Sequence, residues 1–305
     1  IGQDHWRDTM RMDGHRESDN VEDARDAGGL STGGGVRLGG RGIGVGSIVV
    51  ALLAGWIFGI NPLTVLGLLS GDGAGMGPSP VQQAPATKPP PGDPLAKFVS
   101  MVLADTEDVW REQFRAMGGQ YRDPKLRLYH GQEATACGTG QAAMGPFYCP
   151  GDEKVYIDLS FYETMRRQLG APGDFAQAYV IAHEVAHHVQ NQMGITAKVE
   201  QARQRANERS ANALSVRLEL QADCLAGVWA HHAQRSRQLL EAGDVDEALT
   251  AAAAIGDDTL QRNARGRVVP ESFTHGTSAQ RVTWFKRGMA TGSVAQCDTF
   301  KPGAL

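Results

Sequence analysis

The chain has 305 residues, 41% hydrophobic and 21% charged, which suits one or two domains with a sizeable core and excludes wholesale disorder. Its 30 Lys+Arg against 34 Asp+Glu give a formal charge of −4. That balance lacks the basic excess of a nucleic-acid-binding protein, so no nucleic-acid partner is expected.

Residues 1–41 are polar and mixed in charge, then rich in glycine from Gly28 onward, and read as a flexible tether. The Gly40–Gly46 repeat has no strand before it and no amphipathic helix behind it, so it is not a nucleotide-binding loop. No charge occurs between Arg41 and Asp72, and Ile43 to Ile60 is apolar apart from Ser47. At ~1.5 Å per residue this stretch reaches about 27 Å, so residues 42–69 are predicted to be one transmembrane anchor. A buried core helix and a cleaved signal peptide are the competing readings. Distance from the amino terminus and the lack of a small-x-small site argue against the second. Arg37 and Arg41 flank the stretch, which places the amino terminus in the cytoplasm and everything after Asp72 in the periplasm or at the cell surface.

Residues 70–93 are rich in Gly, Pro, Ala and Gln and form a linker; a domain over 94–300 follows. Pro94 suits a first helical turn, and Leu95, Phe98, Val102, Val109 and Phe114 continue that helix to about Gly118. Leu126–Tyr129 and Lys154–Leu159 read as strands, the second either an edge or an internal one. From Phe161 onward the pattern is mostly helical. The expected class is α+β, a mostly helical domain with a small sheet, preceded by the membrane anchor.

The stretch Ala178-Tyr-Val-Ile-Ala-His-Glu-Val-Ala-His-His carries His-Glu-x-x-His at 183–187. On a helix His183 and His187 share a face and can hold one metal, while Glu184 can reach a water on that metal as general base. Asp174 is the expected N-cap and Gly194 the stop. A second helix, Ser215 to about His232, carries Glu219 and Asp223, again four apart. Glu219 is the candidate third ligand, and Asp223 can accept a hydrogen bond from the other nitrogen of a ligand histidine. His188 lies about 100° round the helix and is no ligand. Cys137, Cys149, Cys224 and Cys297 form no CxxC pair. Beyond a membrane anchor they read as disulfides, paired by proximity and elimination as Cys137–Cys149 and Cys224–Cys297, with inert buried thiols the alternative.

HEVAHH followed by ELQADC resembles the neutral zinc metallopeptidase family of bacterial membrane-anchored proteins. The His-Glu-x-x-His…Glu-x-x-x-Asp pattern is similar to that of the gluzincins, thermolysin among them. The likeness runs from Met10 to about Phe300. It includes Cys137-Gly-Thr-Gly, Phe147-Tyr-Cys-Pro, Val155-Tyr-Ile-Asp-Leu and Ser272-Phe-Thr-His-Gly-Thr-Ser-Ala-Gln-Arg281. The interval from motif to Glu219 is longer than in thermolysin-like enzymes. The resemblance implies a zincin-like endopeptidase with one Zn²⁺ per chain, acting on a peptide or protein substrate through a zinc-bound water and Glu184. It also implies that Lys154–Leu159 could be the strand that binds extended substrate. Three roles are open to His275: oxyanion donor, structural residue or third ligand. Arg281 is the alternative oxyanion donor. A membrane-tethered zincin-like adaptor without turnover is the alternative function, against which the intact Glu184 argues.

Overall fold

In the computed structural model, which describes residues 10–12, 14–26, 83, 85–141 and 145–305, six short strands precede most of the helices. They are β1 (Val21–Asp23), β2 (Lys125–Tyr129), β3 (Gln132–Thr135), β4 (Gly138–Gln141), β5 (Phe147–Cys149) and β6 (Lys154–Asp158). Four of them form one sheet in the order β1-β2-β6-β5. β1 and β2 are parallel, as are β2 and β6, and β5 runs antiparallel to β6. Leu126, Leu128, Val155 and Ile157 of the two middle strands are fully buried, as their near-continuous apolar pattern requires. β6 is therefore internal, and β5 is the edge on its side. β3 and β4 make a separate hairpin.

The helices are α1 (Pro94–Ala116), α2 (Ser160–Gln168), α3 (Asp174–Gln192), α4 (Ile195–Arg203), α5 (Glu208–Arg237), α6 (Asp244–Ala254), α7 (Asp257–Arg265) and α8 (Ser278–Thr291). The mixed α+β class is as expected, with helices dominant. α1 starts as predicted, its first turn capped by Asp93 with Pro94 next. α3 is capped one residue earlier than predicted, at Gly173, and Gly194 follows its end at φ 71°. α5 is longer than its apolar core suggests, because charged residues extend it at both ends. His231 and His232 thus lie within it, their rings bonded to the carbonyls of Met289 and Gly292. α3 and α5 cross at the centre of the main core, with Ile181 and Val185 on one and Leu225 and Trp229 on the other. α8 lies against α5 backbone to backbone: a Cβ on Gly227 would collide with the Phe285 carbonyl, and one on Gly288 with that of Cys224.

Both disulfides form as paired from the sequence, Cys137–Cys149 across the β3–β4 region to β5, and Cys224–Cys297 from α5 to the carboxy-terminal segment.

One expectation is corrected. Residues 1–41 read as a flexible tether, yet within them Met10, Met12 and Val21 are buried in the main core. The strand Val21-Glu-Asp is too short and polar to show alternation; it forms because β2 offers a free edge. The predicted span 42–69 lies outside the described residues. Among those described, no helix is long and apolar enough to cross a membrane.

Candidate metal centre

The centre is built where α3 and α5 face each other. His183 and His187 are one turn apart on α3, their rings nearly perpendicular at 89° with centroids 4.8 Å apart. Glu219 on α5 faces both. Its Oε2 lies 3.1 Å from His183 Nε2 and its Oε1 lies 3.5 Å from His187 Nε2. All three residues offer ligand atoms within 4.8 Å of one another. In a tetrahedral zinc site with bonds of ~2.0–2.1 Å, ligand atoms sit roughly 3.4 Å apart, so the observed spacing fits.

Each imidazole is fixed by its other nitrogen. His183 Nδ1 lies 3.0 Å from Asp223 Oδ1, and His187 Nδ1 lies 2.9 Å from Gln190 Oε1. Both acceptors place the proton on Nδ1, which leaves each Nε2 lone pair directed toward Glu219. Gln190 is itself held, its amide donating to the Leu218 carbonyl at 2.8 Å and to Gln221 at 3.0 Å.

Asp223 is fully buried and heavily bonded. Arg281 grips both its oxygens, Nε to Oδ2 at 2.8 Å and Nη2 to Oδ1 at 2.9 Å, and the Tyr179 hydroxyl donates to Oδ1. Arg281 is 2% exposed. Its charge offsets that of Asp223, which leaves Glu184 and Glu219 as the uncompensated acids of the cleft, where a divalent cation would balance them. The same carboxylates favour positive charge on the imidazoles. Burial opposes a charged His183, but Asp223 and Glu219 outweigh it and hold the imidazole up at about 9. His187 is raised in the same way by Glu219. Burial also works against Glu219, yet His187 and His183 hold it well below the usual carboxylate range. Glu184, 8% exposed, is raised by burial, with both histidines opposing.

His275 lies on the loop before α8, across the cleft from α3. Asp257 organises that loop. Its Oδ2 accepts the backbone N–H groups of Thr274, His275 and Gly276 at 2.7, 2.6 and 3.0 Å. Its Oδ1 lies 3.2 Å from His275 Nδ1. Burial disfavours the charged ring, but Asp257 and Glu219 together raise it. The helix cap that follows is Thr277, in a capping box with Gln280.

These residues line one cleft of about 630 Å³, walled by Phe147 and Tyr148 of β5, Phe161, Val180 and Leu260. A larger groove of about 960 Å³ beside Met117 and Met193 contains none of the candidate ligands. His188 points away, between the Tyr148 hydroxyl at 2.9 Å and the Arg122 carbonyl at 2.7 Å, and so ties α3 to β5. Tyr179, Gln190 and Asp257 escaped the sequence reading. The first two carry a signal, lying four residues before His183 and three after His187; Asp257 carries none.

YpfJ of Escherichia coli strain K12, an uncharacterized protein, is 55% identical over 294 residues, 95% of this chain and 99% of its own length. The uncharacterized protein Rv2575 of Mycobacterium tuberculosis is 44% identical over 195 residues, 61% of this chain and 65% of its own. No solved structure matches the chain. The sequence model of the family described as "Putative neutral zinc metallopeptidase" matches residues 10–300, nearly the whole chain, and the chain belongs to that family.

Proposed function

We propose that the chain is a zinc-dependent peptidase of zincin-like construction, with one Zn²⁺ per chain held by His183, His187 and Glu219. The observation that carries this reading is the convergence of two Nε2 lone pairs and one carboxylate at the wall of an open cleft, with Glu184 beside them. The second carboxylate cluster among the described residues, Asp174, Asp244 and Glu247, offers oxygen alone and does not suit zinc. When bound, the metal supplies Lewis acidity and an acidified water.

The chain's own groups do the rest. Glu184, beside the two histidines in the cleft wall, takes the proton of the attacking water and passes it to the leaving amine. Asp223 and Gln190 keep the two imidazoles in one tautomer and orientation. Arg281 spends its donors on Asp223, so it positions the ligand sphere, and the oxyanion role falls to His275. Asp257 accepts from His275 Nδ1, and Asp257 and Glu219 favour the charged ring, in which Nε2 also carries a proton to donate. β5 is the sheet edge nearest the centre, so an extended peptide adds to β5, and β6, the strand first considered for this, is enclosed. The two disulfides support an extracytoplasmic domain, since such bonds persist in oxidising compartments.

Metal analysis of the purified chain together with a peptide-library cleavage assay tests this. The parent should hold one zinc and cleave. Glu184→Gln should keep the zinc and lose cleavage, because base and ligands are separate residues; full activity in that variant overturns the mechanism.

A further inference from the structure

The two imidazoles of the metal centre are oriented by different chemistry. His183 meets a carboxylate, Asp223 Oδ1 at 3.0 Å, whereas His187 meets an amide, Gln190 Oε1 at 2.9 Å. A carboxylate accepts a hydrogen bond through either oxygen, but an amide has a wrong side. Turned over, Gln190 would offer its NH2 group to His187 Nδ1, and the ring proton would move to Nε2, the nitrogen that faces Glu219. His187 is therefore a competent ligand only while the Gln190 amide is held one way round.

What holds it is a relay that ends at the carboxy-terminal segment. Gln190 Nε2 donates to the Leu218 carbonyl at 2.8 Å and to Gln221 Oε1 at 3.0 Å. Gln221 has the same two-sided amide, and it is set in turn by the Cys297 carbonyl, which accepts from its Nε2 at 3.1 Å. Flipping either amide brings oxygen against oxygen and N–H against N–H. Gln190 is fully buried and Gln221 is 6% exposed, so water does not relieve the clash. The Cys297 carbonyl is itself pinned. Cys297 is bridged to Cys224 of α5, and nearby the Thr299 hydroxyl donates to the Arg217 carbonyl of the same helix at 2.6 Å. Taking His183, His187 and Glu219 as the zinc ligands, as above, we propose that Gln221 is a positioning residue of the metal centre: through Gln190 it makes the tautomer of His187 depend on the disulfide-bonded carboxy-terminal segment. The relay adds no net charge. A carboxylate in the place of Gln190 would join Glu184 and Glu219 as a third uncompensated acid and make the imidazole more basic; the paired amides fix the ring without that charge.

Zinc affinity of the full chain, measured by competition with a chromophoric chelator, tests this in a cycle of Gln190→Met, Gln221→Met and the double variant. Gln190→Met should weaken zinc binding about 10–100-fold, as loss of a ligand's orienting partner does, and Gln221→Met about tenfold. The double variant should bind no more weakly than Gln190→Met, because Gln221 acts only through Gln190. The visible spectrum of the cobalt-loaded chain should change in Gln221→Met as it does in Gln190→Met. A residue that merely packs would lower the melting temperature of the metal-free chain and leave zinc affinity and the cobalt spectrum as in the parent. That result, or additive losses in the double variant, overturns the proposal. A parent that holds no zinc overturns the metal centre itself, and the relay with it. A second readout serves even if Gln221→Met fails to fold. In the isotope-labelled parent, zinc should slow the exchange of the side-chain amide protons of both Gln190 and Gln221; protection of Gln190 alone overturns the proposal.

Discussion

Replacing Arg281 by Met keeps most of the aliphatic stem and removes the guanidinium from Asp223. Both residues are almost completely buried, at 2% and 0% exposure, so the remaining carboxylate cannot recover its hydration. Tyr179 and His183 still bond to it, but neither replaces the two donors of the guanidinium. Breaking a buried pair from one side costs about 3–5 kcal/mol. For a domain of this size, where 1 kcal/mol moves the melting temperature by about 2–4 °C, the expected fall is about 6–20 °C. Asp223 also orients His183, so zinc affinity should drop about 10–100-fold. Adding Asp223→Asn to Arg281→Met removes the orphaned charge. The double variant should regain most of the lost stability while zinc stays weakly held, because the amide orients His183 poorly. Thermal melts of the four proteins in a double-mutant cycle, with zinc titration alongside, give both numbers. A single variant within about 1 kcal/mol of the parent would refute the reasoning, as would a double variant less stable than the single one.

His275→Ala should retain zinc and lose about 10²–10³ in turnover, measured on any peptide the parent cleaves. Zinc loss as severe as in His183→Ala would make His275 a ligand, and near-normal turnover would make it structural. Removing both Cys224 and Cys297 as alanines opens a loop with a sequence separation of 73, for which the chain-entropy model gives roughly 4 kcal/mol. A urea midpoint that does not move would contradict that. Asp174 yields a pH effect. Burial, with Asp244 adding, pushes its carboxyl up to about 6. The folded chain then holds a proton that the unfolded chain releases near 3.9, so this residue's contribution to stability declines as pH rises from about 4 to about 6. Screening at this partly exposed site limits the decline to about 1–2 kcal/mol. Asp174→Asn should show that gain over the parent at pH 7 and none at pH 3.5; an equal difference at both would discount the assignment.

The parts of the centre legible in the sequence are those governed by helical periodicity. His183 and His187 at i and i+4, and Glu219 and Asp223 at i and i+4, each needed only one helix to define a face. What the sequence could not show was which distant group each one meets. Arg281 reads as an alternative oxyanion donor, yet its partner Asp223 is 58 residues away on another helix. Asp257 sits in an ordinary helix start, and its hold on His275 depends on how α7 and the following loop pack. The sheet was half visible. β2 and β6 announce themselves by apolar runs, while β5 and β1, three residues each, are defined by the edges they occupy. The cap of α3 fell one residue from the predicted position, with Gly173 rather than Asp174 at the helix entry.

The contact between Asp23 and Thr87 bears on how this protein can be cut. A truncation beginning at the Pro-rich linker discards β1 and leaves the Leu126 edge of β2 unpaired, a template for aggregation. It also strips Met10 and Met12 from the core and leaves Glu107 a buried carboxylate without Ser18 or Asn20. Excision is gentler than truncation. Because Asp23 and Thr87 are hydrogen-bonded neighbours, a glycine-serine linker in place of the stretch between Asp26 and Gln83 should leave the domain folded. The shortest folded version of this chain should be a spliced one.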